Sequence, residues 1–216
     1  QLYVSIDAAT KDALREVDRP LFPDFWERFT RCLALLKRKR TRTVFRLTLV
    51  KQYNMQDVAE YASLIEMGEP DLIEIKAVTY CGKSEGSNLS FQNIPWHEEV
   101  INFASEISKR TGAQYEIACE HKHSCCVLLA RQKFKREGVW HTWIDYPRFF
   151  QLLERYESTG EDFGAEDYMA ETPAWAVFGS DERGFSPNEN RWYRNRTRRA
   201  MEAQANSENA DKANDN

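Results

Sequence analysis

Leu2, Val4 and Ile6 alternate with Tyr3, Ser5 and Asp7, a period of two that predicts a strand with one apolar and one polar face. The pattern returns twice. Thr43 to Lys51 sets Phe45, Leu47 and Leu49 against Arg46 and Thr48. Leu72 to Thr79 sets Ile73, Ile75 and Ala77 against Glu74 and Lys76. Between these runs the apolar spacing becomes helical. Pro20 and Pro23 lead into a helix that Asp24 is placed to cap, with Phe25, Phe29, Leu33 and Leu36 along one side. Asn54 is placed to cap the next helix, which carries Val58, Tyr61, Ala62 and Ile65 and is ended by Gly68 and Pro70. A third helix, from Pro95 to Arg110, turns Val100, Phe103, Ala104 and Ile107 inward, and Gly112 closes it.

Tyr115 to Cys119 and Cys125 to Ala130 read as two further strands, joined by the polar link Glu120 to Ser124. Trp140 to Trp143 predicts a small hairpin with Phe134, and Tyr146 to Tyr156 a short helix. The pattern weakens from Ser158, and from Met201 the composition is that of a disordered chain. Alternating strands and helices point to a parallel α/β fold. A parallel sheet buried on both sides is apolar on both faces. Here one face carries Ser5, Asp7, Arg46, Thr48, Glu74 and Lys76. That suits strands lining a partly open barrel whose lumen holds a polar ligand. The plainer alternative is an amphipathic sheet with one wet face.

The chain has 216 residues and is 42% hydrophobic, enough for one domain or a large part of one. Its net charge of −4 hides an asymmetry. Residues 1–60 carry 12 Lys and Arg against 8 Asp and Glu. Near the end, Arg191, Arg194, Arg196, Arg198 and Arg199 form a basic run beside Trp192 and Tyr193, and a polar, acidic tail follows. No apolar run is long enough to span a bilayer and no signal peptide is visible, so a cytoplasmic chain without a membrane partner is expected. The first residue is Gln1, already inside a strand, which points to a fragment of a longer protein.

The five cysteines are odd in number and lack CxxC spacing, against both a disulfide framework and a zinc ribbon. The CxxxCxxC loop that holds a radical-type iron–sulfur cluster is absent as well. At least three are expected to be buried thiols. His121 and His123, beside Cys119, Cys125 and Cys126, have metal-ligand chemistry, but thiols alternating between two strands pack in cores, and no metal is assigned. His97 falls in a helix first turn beside Glu98 and Glu99, whose charges suit that end. GxSxG, P-loop and GxGxxG motifs are absent, so hydrolase, nucleotide-hydrolysing and dinucleotide-binding classes have no support.

Long ordered blocks carry a family resemblance over residues 1–187. QLYVSIDAATKDALREVDRPLFPDFWERF, RTVFRLTLVKQYNM, PDLIEIKAVTYCG, IPWHEEV and EIACEHKHSCCVLLA resemble the tRNA 4-demethylwyosine synthases, radical S-adenosylmethionine enzymes of wybutosine biosynthesis. WHTWIDYPRF and DYMAETPAWAVFGSDERGF fit the eukaryotic-type members. The resemblance implies the carboxyl-terminal portion of a partial (β/α)6 barrel over residues 1–130, a family extension over 131–187, and a basic then disordered tail over 188–216. It implies S-adenosyl-L-methionine cleaved at a [4Fe–4S] cluster, and FMN in a flavodoxin-like amino-terminal domain as electron donor. It implies addition of two pyruvate carbons to N1-methylguanosine beside the anticodon of phenylalanine tRNA, a lyase-class reaction. The cluster loop and the pyruvate-engaging lysine of the family match nothing in this chain, which alone would be inactive. The alternative is a truncated, non-catalytic paralogue that retains at most tRNA binding.

Site expectations follow. Ser5 and Asp7 lie at a strand's carboxyl end, where barrel active sites gather, and resemble the position that contacts the cofactor ribose; Asp7 could equally start a turn. Asn54 is a helix cap or a polar contact to S-adenosylmethionine. Glu74 and Lys76 form a mutually neutralising lumen pair, or Lys76 meets a small carboxylate. For RNA, Lys37 to Arg42 is the obvious basic patch, but it precedes a strand and so falls on the face away from the site. Lys51, Lys83 and Lys122, in loops after strands, are the candidates, with Arg191, Arg194, Arg196, Arg198 and Arg199 adding charge beside stacking surface.

Overall fold

The computed structural model describes residues 1–82 and 89–182, which fall within one compact unit. Lys83 and the run Arg191 to Arg199 lie outside the described residues. A five-stranded sheet organises the unit: β1 (Leu2–Ser5), β2 (Thr43–Leu49), β3 (Leu72–Ala77), β4 (Tyr115–His121) and β5 (Cys126–Arg131), in the order β1-β2-β3-β5-β4. β1, β2 and β3 are parallel. β5 is antiparallel to β3 and to β4, so the all-parallel expectation fails at this one strand. The reason is local. The short turn Lys122–Ser124 joins β4 to β5, and a link of that length cannot carry the crossover that parallel neighbours need. Because β5 alone runs backwards, β1 to β4 present their carboxyl ends on one edge.

The helices are α1 (Lys11–Asp18), α2 (Phe25–Leu36), α3 (Val58–Gly68), α4 (His97–Arg110) and α5 (Tyr146–Thr159). α1 has no counterpart in the expected elements; Thr10 caps it by accepting from the Ala13 N–H, and Leu14 is its one buried residue. Leu33 and Leu36 of α2, Tyr61, Leu64 and Ile65 of α3, and Val100, Phe103 and Ile107 of α4 pack on Phe45, Leu47, Ile73, Ile75, Val127 and Leu129 of the sheet. These three helices cover the same face because each right-handed crossover moves the chain one strand along in one direction. Of the two capping expectations, one holds in place and neither in chemistry. Asp24 occupies the N-cap of α2 but makes no capping bond, since its carboxylate takes both bonds from the Arg28 Nε at 2.9 Å. Asn54 is not a cap: α3 is preceded by Asp57.

The other face of the sheet is half covered. Residues 134–178 fold back over its amino-terminal end, where Phe134, Trp140, Leu152 and Tyr168 pack on Val44, Leu72, Ala118 and Ala130. Two small pairs hold this segment together. β6 (Lys135–Arg136) forms a hairpin with β7 (Val139–Trp140), and β8 (Trp143–Ile144) pairs with β9 (Met169–Ala170). The chain after residue 130 thus shares a core with the sheet.

Arg42 ties the segment down. It is 1% exposed, and so it is not the solvated charge that its basic run suggests. Its guanidinium donates to the Thr142 carbonyl at 2.9 Å and the Trp143 carbonyl at 3.2 Å, and its backbone N–H donates to the Tyr168 hydroxyl at 3.1 Å. Two of the neighbouring cations make ion pairs, Lys37 with Glu69 and Arg40 with Asp162. The run lies just before β2, at the edge opposite the strands' carboxyl ends. Arg42→Ala strands two buried carbonyls and should cost about 2–4 kcal/mol. Denaturant unfolding measures the cost, and limited proteolysis should show earlier cleavage within residues 134–178.

Candidate functional site

Register sorts the uncovered face into rows. Ser5, Arg46, Glu74, Leu128 and Cys119 occupy one row across β1, β2, β3, β5 and β4. One step nearer the carboxyl ends, Thr48, Lys76, Cys126 and His121 form the next. Asp7, two residues past Ser5 in the same alternation, extends that row. Ser5, Asp7, Glu74 and Lys76 therefore do converge on one face, together with Arg46 and Thr48. The Arg46 guanidinium donates to the Ser5 hydroxyl at 3.1 Å.

Glu74 and Lys76 do not neutralise each other. On one face of one strand they stand two residues apart, about 7 Å along the chain. The Tyr3 hydroxyl donates to Glu74 at 3.2 Å instead. No carboxylate among the described residues lies within ion-pair distance of Lys76. Burial, the Glu74 charge and this bond push the Tyr3 phenol up to about 12, so it remains a donor. Burial raises the Asp7 carboxyl above the usual range, against the opposing pull of Thr48 and Arg46.

Asn54 sits beneath this row, 1% exposed. Its carbonyl oxygen accepts from the Val50 N–H, and its amide donates to the Asp7 and Thr48 carbonyls, all at 2.8 Å. Both amide hydrogens are committed to backbone, so Asn54 joins the ends of β1 and β2 and fixes where Asp7 stands. Of the RNA candidates, Lys51 is three-quarters buried and pairs with Glu99 at 2.6 Å. Lys122 is exposed, 3.7 Å from Glu120. Both lie at the carboxyl-end edge.

His97 opens α4 as expected, but its partner was not foreseen: its Nε2 lies 2.8 Å from the Glu120 carboxylate. Burial raises the Glu120 carboxyl, yet the bonds from His97 and the Gly179 N–H outweigh it, and the net shift is downward. None of the five thiols is fully buried: Cys32 and Cys81 are exposed, and Cys119, Cys125 and Cys126 are half-buried. Among the described residues no three His, Cys, Asp or Glu side chains converge as a metal site. Tyr3, Trp143 and Trp175 also border the polar face. Tyr3 could have been found from its place beside Ser5 in the alternation. Trp175 could not, since the pattern has faded there.

Residues 67–131, from the end of α3 to the end of β5, match the family model described as wyosine base formation. The chain is 56% identical over 196 residues to the S-adenosyl-L-methionine-dependent tRNA 4-demethylwyosine synthase TYW1 of Danio rerio, covering 90% of this chain and 27% of that protein. The chain is similar to the tRNA 4-demethylwyosine synthases. The synthase of Oryza sativa subsp. japonica is 54% identical over 91% of this chain and 30% of its own length. Homo sapiens TYW1 is 53% identical over 93% of this chain and 28% of its own. A solved structure of TYW1 with a lysine–pyruvate adduct bound superposes with a TM-score of 0.55 at 26% identity, over 64% of this chain and 43% of that one. The chain thus spans less than a third of the length of these curated relatives.

Two measurements probe this arrangement. Asn54→Asp keeps the shape but sets a buried carboxylate against two carbonyls, and should cost about 3–5 kcal/mol in denaturant unfolding. Asn54→Ala should cost about 2 kcal/mol. Separately, burial and the Glu74 charge push the Cys126 thiol up to about 12. The fold favours the neutral thiol, so this contribution to stability is complete below the ordinary thiol value near 9 and is lost as pH rises towards 12. Iodoacetamide at pH 8, followed by mass spectrometry, should label Cys32 and Cys81 at least about tenfold faster than Cys126, with the gap closing as pH rises.

Proposed function

We propose that this chain is the substrate-side, carboxyl-terminal part of a radical S-adenosylmethionine tRNA-modifying lyase that builds 4-demethylwyosine from N1-methylguanosine of phenylalanine tRNA and pyruvate. The uncovered face is then a section of the lumen of a partial (β/α)6 barrel. The observation that carries the proposal is the convergence of Asp7, Thr48 and Lys76 at the strands' carboxyl ends, with Arg46 in the adjoining row, in a chain more than half identical to synthases of that name over nine tenths of its length.

The described residues suit S-adenosylmethionine better than its cluster. Asp7 accepts from ribose hydroxyls, with Ser5 beside it. Lys76, without a carboxylate of its own, takes the small carboxylate of methionine or pyruvate. Asn54 acts through the backbone, holding Asp7 in place. S-adenosylmethionine at a [4Fe–4S] cluster, with electrons from FMN, supplies radical generation. None of the described residues forms a cluster site.

The target base must leave its stack to be modified, so the anticodon loop approaches the carboxyl-end edge. Lys51, Lys83, Lys122 and Arg191 to Arg199 then neutralise phosphate, and Lys37 to Arg40 do not. Two tests follow in the full-length protein. With S-adenosylmethionine, pyruvate, reductant and N1-methylguanosine tRNA under anaerobic conditions, wild type should form the tricyclic base. Asp7→Ala should lower its yield at least about tenfold, the loss of a charged hydrogen bond. In the second test, neutralising the carboxyl-end set should weaken tRNA binding about tenfold and flatten the salt dependence. Neutralising Lys37 to Arg40 should change it less than about threefold. A larger loss from the Lys37 to Arg40 set, or full activity in Asp7→Ala, would overturn these assignments.

A further inference from the structure

A cavity of about 320 Å³ opens on the uncovered face, where β3 and β5 meet the folded-back segment. Leu72, Glu74 and Leu128 form its floor, and Trp143 and Trp175 stand at its sides. The two indoles meet edge to face, 6.1 Å between centroids with planes 82° apart. The wall they form is fixed from behind. Arg42 holds the Thr142 and Trp143 carbonyls, and the Thr142 hydroxyl is 2.9 Å from that of Thr172. Glu74 enters with one oxygen engaged by Tyr3 and the other with no donor among the described residues.

This chemistry selects its ligand. Exposed π faces favour a flat ring system. A carboxylate beside them repels an anion and asks for an N–H donor, so pyruvate and other small acids fit poorly. The volume is at the small end of ligand sites and suits a single base. Glu74 stands one step from Lys76 on the same strand face, so a ring here lies next to the row assigned to the cofactor.

We propose that this cavity receives the extruded target guanine, stacked against Trp143 and Trp175, with its exocyclic amino group donating to Glu74. This rests on the tRNA-modifying function proposed above. Methylation at N1 removes the ring N–H and leaves the exocyclic amino group as the remaining donor on that edge. A site built to accept from it rejects an analogue that lacks it, because a half-buried carboxylate is then left without its partner.

The test compares two anticodon stem-loops that differ only at the target base, N1-methylguanosine or N1-methylinosine, the second lacking the amino group. Binding to the full-length protein is measured, since the amino nitrogen is itself part of the ring to be closed. Wild type should prefer the guanosine RNA about tenfold or more. Glu74→Leu should reduce that preference to less than about threefold, and Glu74→Gln, a neutral acceptor, should fall between. Tyr3→Phe, which leaves the carboxylate in place, should keep it. Trp175→Ala should weaken both RNAs about tenfold alike, since stacking ignores the amino group. Equal binding of the two RNAs by wild type, a full preference in Glu74→Leu, or unchanged affinity in Trp175→Ala each overturns the proposal. The wild-type comparison and Trp175→Ala decide it even if Glu74→Leu fails to fold. Wild type that binds neither RNA and makes no product fails at the level of the proposed function, which is a distinct result.

Discussion

Ionisable side chains in the middle of a sheet face cannot be roofed by apolar chain without partners, because a desolvated unpaired charge costs several kcal/mol. That constraint sets how far residues 134–178 extend. They cover the row at Val44, Leu72 and Ala130, where the sheet offers methyl and isobutyl groups. They stop short of Arg46 and Lys76. The helical face meets no such limit: Phe45, Leu47, Ile73, Ile75, Val127 and Leu129 are all fully buried there. One sheet therefore has a sealed face, and a second face that is closed at one end and polar at the other.

Two buried polar side chains hold the two ends. Arg42, just before β2, fastens the folded-back segment through the Thr142 and Trp143 carbonyls. Asn54, past the end of β2, fastens the exit of β1 to that of β2 through three backbone bonds. Neither side chain stands in the open rows, yet both decide where those rows stand. Trp143 is held by the first and Asp7 by the second, so the cavity wall and the polar row inherit their positions from residues outside the site.

Much of this was legible because strand alternation has few alternatives. A one-residue slip in β2 would send Arg46 and Thr48 into the helical core, so the faces of β1, β2 and β3 follow from the residue types alone. That Ser5, Asp7, Glu74 and Lys76 share one face was legible for the same reason. What local pattern could not carry was partnership. Glu74 and Lys76 look paired when read along one strand, but Tyr3, 71 residues away, takes the carboxylate. Asn54 resembles a cap because asparagine caps helices, and only the proximity of Asp7 reveals its three-way bond. Arg42 looks solvated in a run of cations until chain a hundred residues on is laid over it. The direction of β5 was the opposite case: the brevity of the Glu120 to Ser124 link was visible and argues for a hairpin.

Alternation also explains why the open face has the mixture of charges it has. Residues two apart on one strand face stand about 7 Å apart along the chain, and here each looks across the sheet for its partner. Arg46 finds Ser5 and Glu74 finds Tyr3, both on or next to the β1 side. Lys76 looks towards Cys126, whose thiol stays neutral through physiological pH and so offers no counter-charge. Among the described residues, Lys76 in the carboxyl-end row therefore has no carboxylate partner, and in the row below one Glu74 oxygen has no donor. An anionic group is favoured at the first position and an N–H donor at the second. On this sheet the order of these complementary groups follows from the two-residue repeat of β3.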